Sequence, residues 1–151
     1  FLSAGQRCTA ARRLIVSEAQ ADDLVAAILK MVSRLIVDEP FAKPQPFMGP
    51  VIDNAAADHL QEQFLNLMIK GAKVVRRLDR PQEGLPFLTP AIIDVTGVDT
   101  PDEELFGPVL QVVRVPDFER ALREANNTRF GLAASLVGGS PEQYDRFWAT
   151  V

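Results

Sequence analysis

The stretch Val109-Leu110-Gln111-Val112-Val113-Arg114-Val115 constrains the fold more than any other. It is nearly all β-branched and apolar, the pattern of a strand covered on both faces rather than one that alternates between core and water. Such a strand needs layers of structure above and below it, and the rest of the chain supplies candidates in alternation. Leu14-Ile15-Val16 reads as a short strand. Ser17, with Gln20 three residues on, has the spacing of a capping box, and Leu24, Val25, Ile28, Met31, Val32 and Leu35 follow at helical spacing, predicting an amphipathic helix from about Glu18 to Leu35.

Pro40, Pro44, Pro46 and Pro50 interrupt regular structure and predict a long exposed connection. Asp53 or Asn54 can cap a second helix, with Leu60, Phe64, Leu67 and Met68 in one stripe and Gly71 as its left-handed terminator. Lys73-Val74-Val75 resumes as strand. Phe87-Leu88 and Ala91 to Val95 read as one strand broken at Pro90, which predicts an edge or a bulge. After the strand at 109–115, Asp117 caps a helix that turns Phe118, Ala121, Leu122 and Ala125 inward and ends at Asn126-Asn127. Leu132 to Val137 reads as another buried strand. Ser140-Pro141 with Gln143 starts a last helix through a second capping box. Strands alternating with helices predict a layered α/β domain.

With 151 residues, 47% hydrophobic and 24% charged, the chain is expected to be one globular domain, residues 1–151, with its own core. A net charge of −4 argues against general nucleic-acid binding, since no run of Lys and Arg exceeds the pairs Arg12-Arg13 and Arg76-Arg77. No apolar run approaches the roughly 20 residues of a membrane span. One cysteine excludes an internal disulfide and, with one histidine, a Cys/His zinc cage, so no metal site is expected and a reducing, cytoplasmic setting fits. The chain opens on Phe1 without an initiator Met and closes inside a helical pattern, so it reads as a piece of a longer protein.

The single thiol, Cys8, lies just after Phe1 to Gln6, which reads as the last turn of a helix ended by Gly5. A lone cysteine is often a small buried hydrophobe. Here a turn is expected, with Arg7 beside the thiol and Arg12 and Arg13 near it in sequence. Positive charge favours thiolate, and free N–H groups of a turn can stabilise an oxyanion, so Cys8 is a candidate nucleophile. A Cys-His hydrolase would need His59 as its base, yet His59 falls on an amphipathic helix beside the apolar stripe and reads as surface. A non-catalytic interaction module, with Cys8 buried and inert, is the other alternative.

The second constellation is Pro101-Asp102-Glu103-Glu104-Leu105-Phe106-Gly107-Pro108. Acids in a loop are usually solvated surface, but Phe-Gly-Pro fixes a sharp turn before the buried strand and holds Glu104 at a strand end, where α/β sheets place ligands. A carboxylate there can accept from the two vicinal hydroxyls of a ribose. The chain has neither G-x-G nor G-x-x-x-x-G-K, and so no phosphate cradle of its own.

Phe1 to Thr9 (FLSAGQRCT), Glu104 to Pro108 (ELFGP) and Ala125 to Ala134 (ANNTRFGLAA), in this order and spacing, resemble the aldehyde dehydrogenase superfamily. The resemblance runs along essentially the whole chain and implies most of a catalytic domain, a three-layer α/β sandwich with a mostly parallel sheet, without the NAD-binding domain. It implies that Cys8 adds to an aldehyde, forming a thiohemiacetal and then a thioester that water releases as the acid. Glu104 matches the glutamate that holds the nicotinamide ribose, and Phe106 the aromatic beside it. The cofactor implied is NAD, or NADP, bound mainly by a domain outside this chain. The general-base glutamate and the oxyanion asparagine lie upstream of Phe1 in such proteins, so the isolated chain is expected to be inactive. The opening motif, Leu88 to Asp94 and Pro101 to Glu104 look most like the branch that oxidises an anionic semialdehyde of arginine catabolism, with Arg7 and Thr9 as candidate substrate contacts. Relatives form homo-oligomers, which implies the same for the longer protein.

Overall fold

The computed structural model describes residues 1–151. Strands β1 (Arg13–Ser17), β2 (Lys73–Arg76), β3 (Ala91–Asp94) and β4 (Val109–Val115) form one sheet in the order β1-β4-β3-β2. β4 lies inside it, parallel to β1 and β3, and β2 runs antiparallel to β3 at one edge. The continuous apolar run at 109–115 is thus the strand with a parallel neighbour on each side.

Alternation along the strands divides the core between two faces. Ile92 and Val112 point with Val16 toward α1 (Glu18–Val32), where they pack with its Ala21, Val25 and Val32. Ala91, Ile93 and Val109 point the other way, onto Leu60, Phe64 and Leu67 of α2 (Asn54–Ile69). Helix, sheet and helix make three layers, as expected. α3 (Phe118–Ala125) covers the side of β1 that carries Arg13, and α4 (Pro141–Thr150) closes the described chain.

Several local expectations hold. Asp53 is the cap of α2, its carboxylate accepting from the Ala56 N–H at 2.8 Å, and Gly71 after that helix has φ 100°. Asp117 caps α3 through the Arg120 N–H, and Ser140 and Gln143 form the reciprocal capping box of α4.

Others are corrected. Leu132 to Val137 forms no strand: the segment has no partner strand, and Val137 is 94% exposed. Its apolar pattern has no layer to enter. Phe87-Leu88 is buried but outside the sheet, so β3 starts only after Pro90. That proline is neither on an edge nor in a bulge; it precedes an interior strand, and its carbonyl accepts from Arg76 Nε at 2.8 Å.

The Ser17 hydroxyl donates to Gln20 Oε1 rather than capping a backbone N–H. α1 ends at Val32, and Leu35 follows in a tighter turn closed by its N–H on the Val32 carbonyl. The proline-rich connection is largely exposed from Glu39 to Phe47, as expected, and most of all at Phe41, but its two ends are anchored. Val37 bridges Met48, and Met48 and Val51 enter the core. Finally, Leu2–Gly5 is not the end of a right-handed α-helix. Ser3, Ala4 and Gly5 are left-handed in succession, at φ 54°, 54° and 71°. Such a conformation costs about 1–2 kcal/mol for each residue bearing a Cβ. Burial of Ala4 and the close seating of Gly5 hold it in place.

Candidate active site

Both expected constellations lie on loops that enter the sheet from the same end. Parallel strands need a crossover of about a dozen residues or more. Between β3 and β4 that crossover is residues 95–108, which contain no helix or strand, so the acidic motif is the return path itself. Cys8 precedes β1 and Glu104 precedes β4, and β1 and β4 are parallel neighbours with Arg13 opposite Gln111. The two residues therefore approach the amino-terminal ends of their strands. This corrects the expectation drawn from doubly wound sheets, whose ligands sit at the carboxyl ends.

The two loops touch through glycines. Gly5 is buried, and a Cβ placed on it would overlap the Gly107 carbonyl; a Cβ on Gly107 would lie 2.5 Å from the Leu60 methyls of α2. Backbone thus packs on backbone, and both on the helix. Gly107 also closes two successive three-residue turns: its N–H donates to the Leu105 carbonyl and its own carbonyl accepts from the Val109 N–H, each at 2.8 Å. Phe106 is the apex of the first turn and is 48% exposed, while Leu105 packs against the core. Glu104, immediately before it, is exposed and makes no ion pair or side-chain hydrogen bond with the protein.

Cys8 is exposed, on a turn closed by the Ala10 N–H donating to the Arg7 carbonyl at 2.9 Å. The Cys8 and Thr9 N–H groups, inside that turn, have no partner in the protein. Arg7 and Thr9 flank the thiol and are exposed. The thiol is therefore not the buried, inert group of the interaction-module alternative. His59 is exposed on α2, and no hydrogen bond joins it to Cys8.

The arginines expected to add positive potential at Cys8 are committed elsewhere. Arg12 donates from Nη1 to the Glu103 carbonyl at 2.7 Å and from Nη2 to Asp102 Oδ1 at 2.9 Å and Thr128 Oγ1 at 3.2 Å. Arg13 pairs with Glu124 at 3.1 Å and donates to the Ala125 carbonyl at the end of α3. Burial, and then the neighbouring Arg12, lower the Arg13 pKa, opposed by Glu124. Arg7 alone keeps a guanidinium outside any ion pair.

Sequence reasoning missed two devices. The Gln6 side chain clamps the thiol loop to the proline-rich segment, donating to the Ser3 and Pro50 carbonyls and accepting from the Ile52 N–H at 2.7 Å. Asp102 gathers Arg12, the Thr128 hydroxyl at 2.7 Å and the Arg129 N–H at 2.7 Å. The Arg129 bond, followed by Thr128 and Arg12, holds the Asp102 carboxyl at about 2. In the sequence Asp102 is only one acid among three. Its partner Thr128, however, lies in the third motif, and that is the signal that could have found it.

The sequence model of the aldehyde dehydrogenase family matches residues 1–151. The N-succinylglutamate 5-semialdehyde dehydrogenase of Sphingopyxis alaskensis is 61% identical over 150 residues, covering 99% of this chain and 31% of that protein. The chain therefore spans about a third of the length of such a curated relative. Among solved structures, the NADP-dependent glyceraldehyde-3-phosphate dehydrogenase of Bacillus halodurans, complexed with NADP, superposes with a TM-score of 0.88 at 32% identity, covering all of this chain and 31% of its own. Aldehyde dehydrogenase 21 of Physcomitrella patens, in complex with its reaction product succinate, superposes with a TM-score of 0.86 at 27% identity, covering 97% of this chain and 30% of its own. With the fold, the two apposed motifs and these likenesses in agreement, the chain belongs to the aldehyde dehydrogenase family.

Proposed function

We propose that this chain is the larger part of the catalytic domain of an NAD(P)-dependent aldehyde dehydrogenase that oxidises N-succinylglutamate 5-semialdehyde to N-succinylglutamate in arginine catabolism. The observation that carries the reading is the seating of Gly5 on Gly107, which sets the exposed Cys8 turn beside the turn bearing Glu104 and Phe106. The 61% identity to a protein of that name supports the choice of semialdehyde.

Cys8 Sγ, as thiolate, adds to the aldehyde carbon, and the oxygen that becomes anionic lies within reach of donors such as the unpaired Cys8 and Thr9 N–H groups. When bound, a nicotinamide supplies the acceptor for the hydride lost from that carbon. The acyl group stays on Sγ as a thioester, which water cleaves to the acid with return of the thiol. Arg7 is available to the substrate carboxylates and Thr9 to its polar atoms. Glu104 has no protein partner and stands two residues before the exposed ring of Phe106, a pairing that fits a ribose diol and an adjoining flat heterocycle. These residues fit the nicotinamide end of a dinucleotide; with no glycine-rich phosphate cradle in the chain, the remainder belongs to another domain. The full-length protein is read as cytoplasmic and homo-oligomeric, like the implied relatives, with no helix here long and apolar enough to cross a membrane.

The test is to assay the full-length protein and its Cys8→Ala and His59→Ala forms against a panel of anionic semialdehydes with NAD and NADP. Turnover lost with Cys8→Ala and kept with His59→Ala is expected, with N-succinylglutamate 5-semialdehyde giving the highest kcat/KM. Dehydrogenase turnover retained by Cys8→Ala ends the nucleophile assignment.

A further inference from the structure

The connection 95–108 crosses the molecule without helix or strand, yet its end must present Glu104 and Phe106 in one orientation. Gly107 fixes it from below. From the side it is held by Arg12, whose own backbone is part of the sheet: the Arg12 carbonyl accepts from the Gln111 N–H at 2.9 Å, one residue before β1 begins. Its guanidinium leaves that fixed point and reaches the Glu103 carbonyl at 2.7 Å, the peptide group joined to Glu104. The same guanidinium is oriented by Asp102 and Thr128, and lies 5.3 Å from the centre of the Phe130 ring. Asp102 is itself held by the Thr128 hydroxyl and the Arg129 N–H. Residues of the acidic constellation at 101–108 and of the third motif thus meet on one side chain, four positions from Cys8.

We propose that Arg12 is a positioning residue for the cofactor-facing turn, a strut from β1 that fixes the Glu103–Glu104 peptide while Asp102 and Thr128 hold its guanidinium. The proposal rests on the reading of Glu104 and Phe106 as nicotinamide–ribose contacts. Arg12 touches neither thiol nor cofactor; it acts through the backbone ahead of Glu104. The arrangement requires arginine, because a planar fork serves the carbonyl from one nitrogen and the carboxylate and hydroxyl from another, which an ammonium on a flexible stem does not reproduce.

The experiment uses the full-length protein and the variants Arg12→Lys, Asp102→Asn, Thr128→Val and Glu104→Gln. Four quantities are measured: KM for each substrate, NAD affinity by equilibrium dialysis, alkylation of Cys8 by iodoacetamide, and amide hydrogen exchange over residues 101–107 and at Arg129. Arg12→Lys and Asp102→Asn are expected to weaken NAD binding and raise its KM about tenfold, the effect of losing one charge-assisted hydrogen bond. Exchange over 101–107 should quicken, while the aldehyde KM and the alkylation rate stay within about twofold, less than half a kcal/mol. Thr128→Val, which keeps the ion pair, is expected to give a smaller change in the same direction, and serves if the other variants fold poorly. Unchanged NAD affinity in Arg12→Lys beside weakened affinity in Glu104→Gln overturns the strut and spares the site. Unchanged affinity in Glu104→Gln overturns the reading of the turn and the proposal with it. Equal losses for both substrates, tracking a lower Tm, would make Arg12 a general stabiliser and also refute it.

Discussion

Gly5 and Gly107 are separated by about a hundred residues of chain, yet Gly5 sits so close on the Gly107 carbonyl that no side chain larger than hydrogen fits at Gly5. The contact carries the site, because Cys8 is three residues from one glycine and Glu104 three from the other. Gly5 is left-handed as well as crowded, so Gly5→Ala combines a backbone penalty with a steric one. Destabilisation of about 2–4 kcal/mol is expected, from the αL cost and overpacking together. Gly71→Ala, left-handed but in open space, should cost only about 1–2 kcal/mol. Urea unfolding of both variants checks the difference, and equal losses would mean that the contact with Gly107 contributes nothing.

What the amino-acid sequence discloses by itself depends on the range of the interaction responsible. The strand at 109–115, the helices after Asp53, Asp117 and Ser140, and the terminator Gly71 are local patterns, and all are present. The Leu132–Val137 strand fails because β-propensity records suitability for a sheet and not the presence of a partner strand. The left-handed run at Ser3-Ala4-Gly5 is illegible for a related reason: only the packing of Ala4 and Gly5 compels it. At the site, Cys8, Glu104 and Phe106 stand out through unusual neighbours in sequence. The Gln6 clamp and the Arg12–Asp102–Thr128 cluster do not, since their partners lie tens of residues away and each side chain is ordinary when taken alone.

Removing the Gln6 clamp tests whether the thiol loop is fixed by hydrogen bonds as well as by packing. Gln6→Leu deletes two donated bonds and leaves the Ile52 N–H without its acceptor. A loss of about 0.5–1.5 kcal/mol is expected, that of an ordinary hydrogen bond, because Ile52 is exposed and water can replace Gln6 at its N–H. Faster amide exchange at Ile52 should accompany it. Unchanged exchange there would show that the bond to Gln6 does not persist in solution.

Two aspartates make the acid limb of stability predictable in sign. Asp94 is buried, which alone would raise its pKa, but the Thr96 hydroxyl and N–H and then Arg114 outweigh burial and lower it. Asp102 is held at about 2, first by the Arg129 N–H. Both folded values lie below the unfolded value of about 3.9, so the unfolded chain takes up protons first as pH falls. Their contribution is complete above the unfolded pKa, declines as pH drops below it, and is gone once pH has passed through the folded values. Stability measured by urea titration between about pH 5 and pH 2 should therefore fall with acid, and Asp102→Asn should shallow that slope. An identical slope in the variant would show that the Asp102 cluster is not formed in the native state.

Cys8 is exposed in a turn with free N–H groups, so iodoacetamide should alkylate it in the native chain near neutral pH, without denaturant. In the full-length protein, Cys8→Ala should reduce dehydrogenase turnover by at least about a thousandfold, as loss of a covalent nucleophile does. The 151-residue chain is a different case. In the proposed reading it supplies the thiol and the carboxylate that faces the ribose, while the phosphate cradle, the base and the oxyanion asparagine that the resemblance implies come from elsewhere. Mixed with NAD and a semialdehyde, it is expected to be alkylated normally and to produce no NADH. Catalytic NADH formation by the isolated chain, abolished by Cys8→Ala, would mean that the site is complete within these residues and that the base must be sought among them.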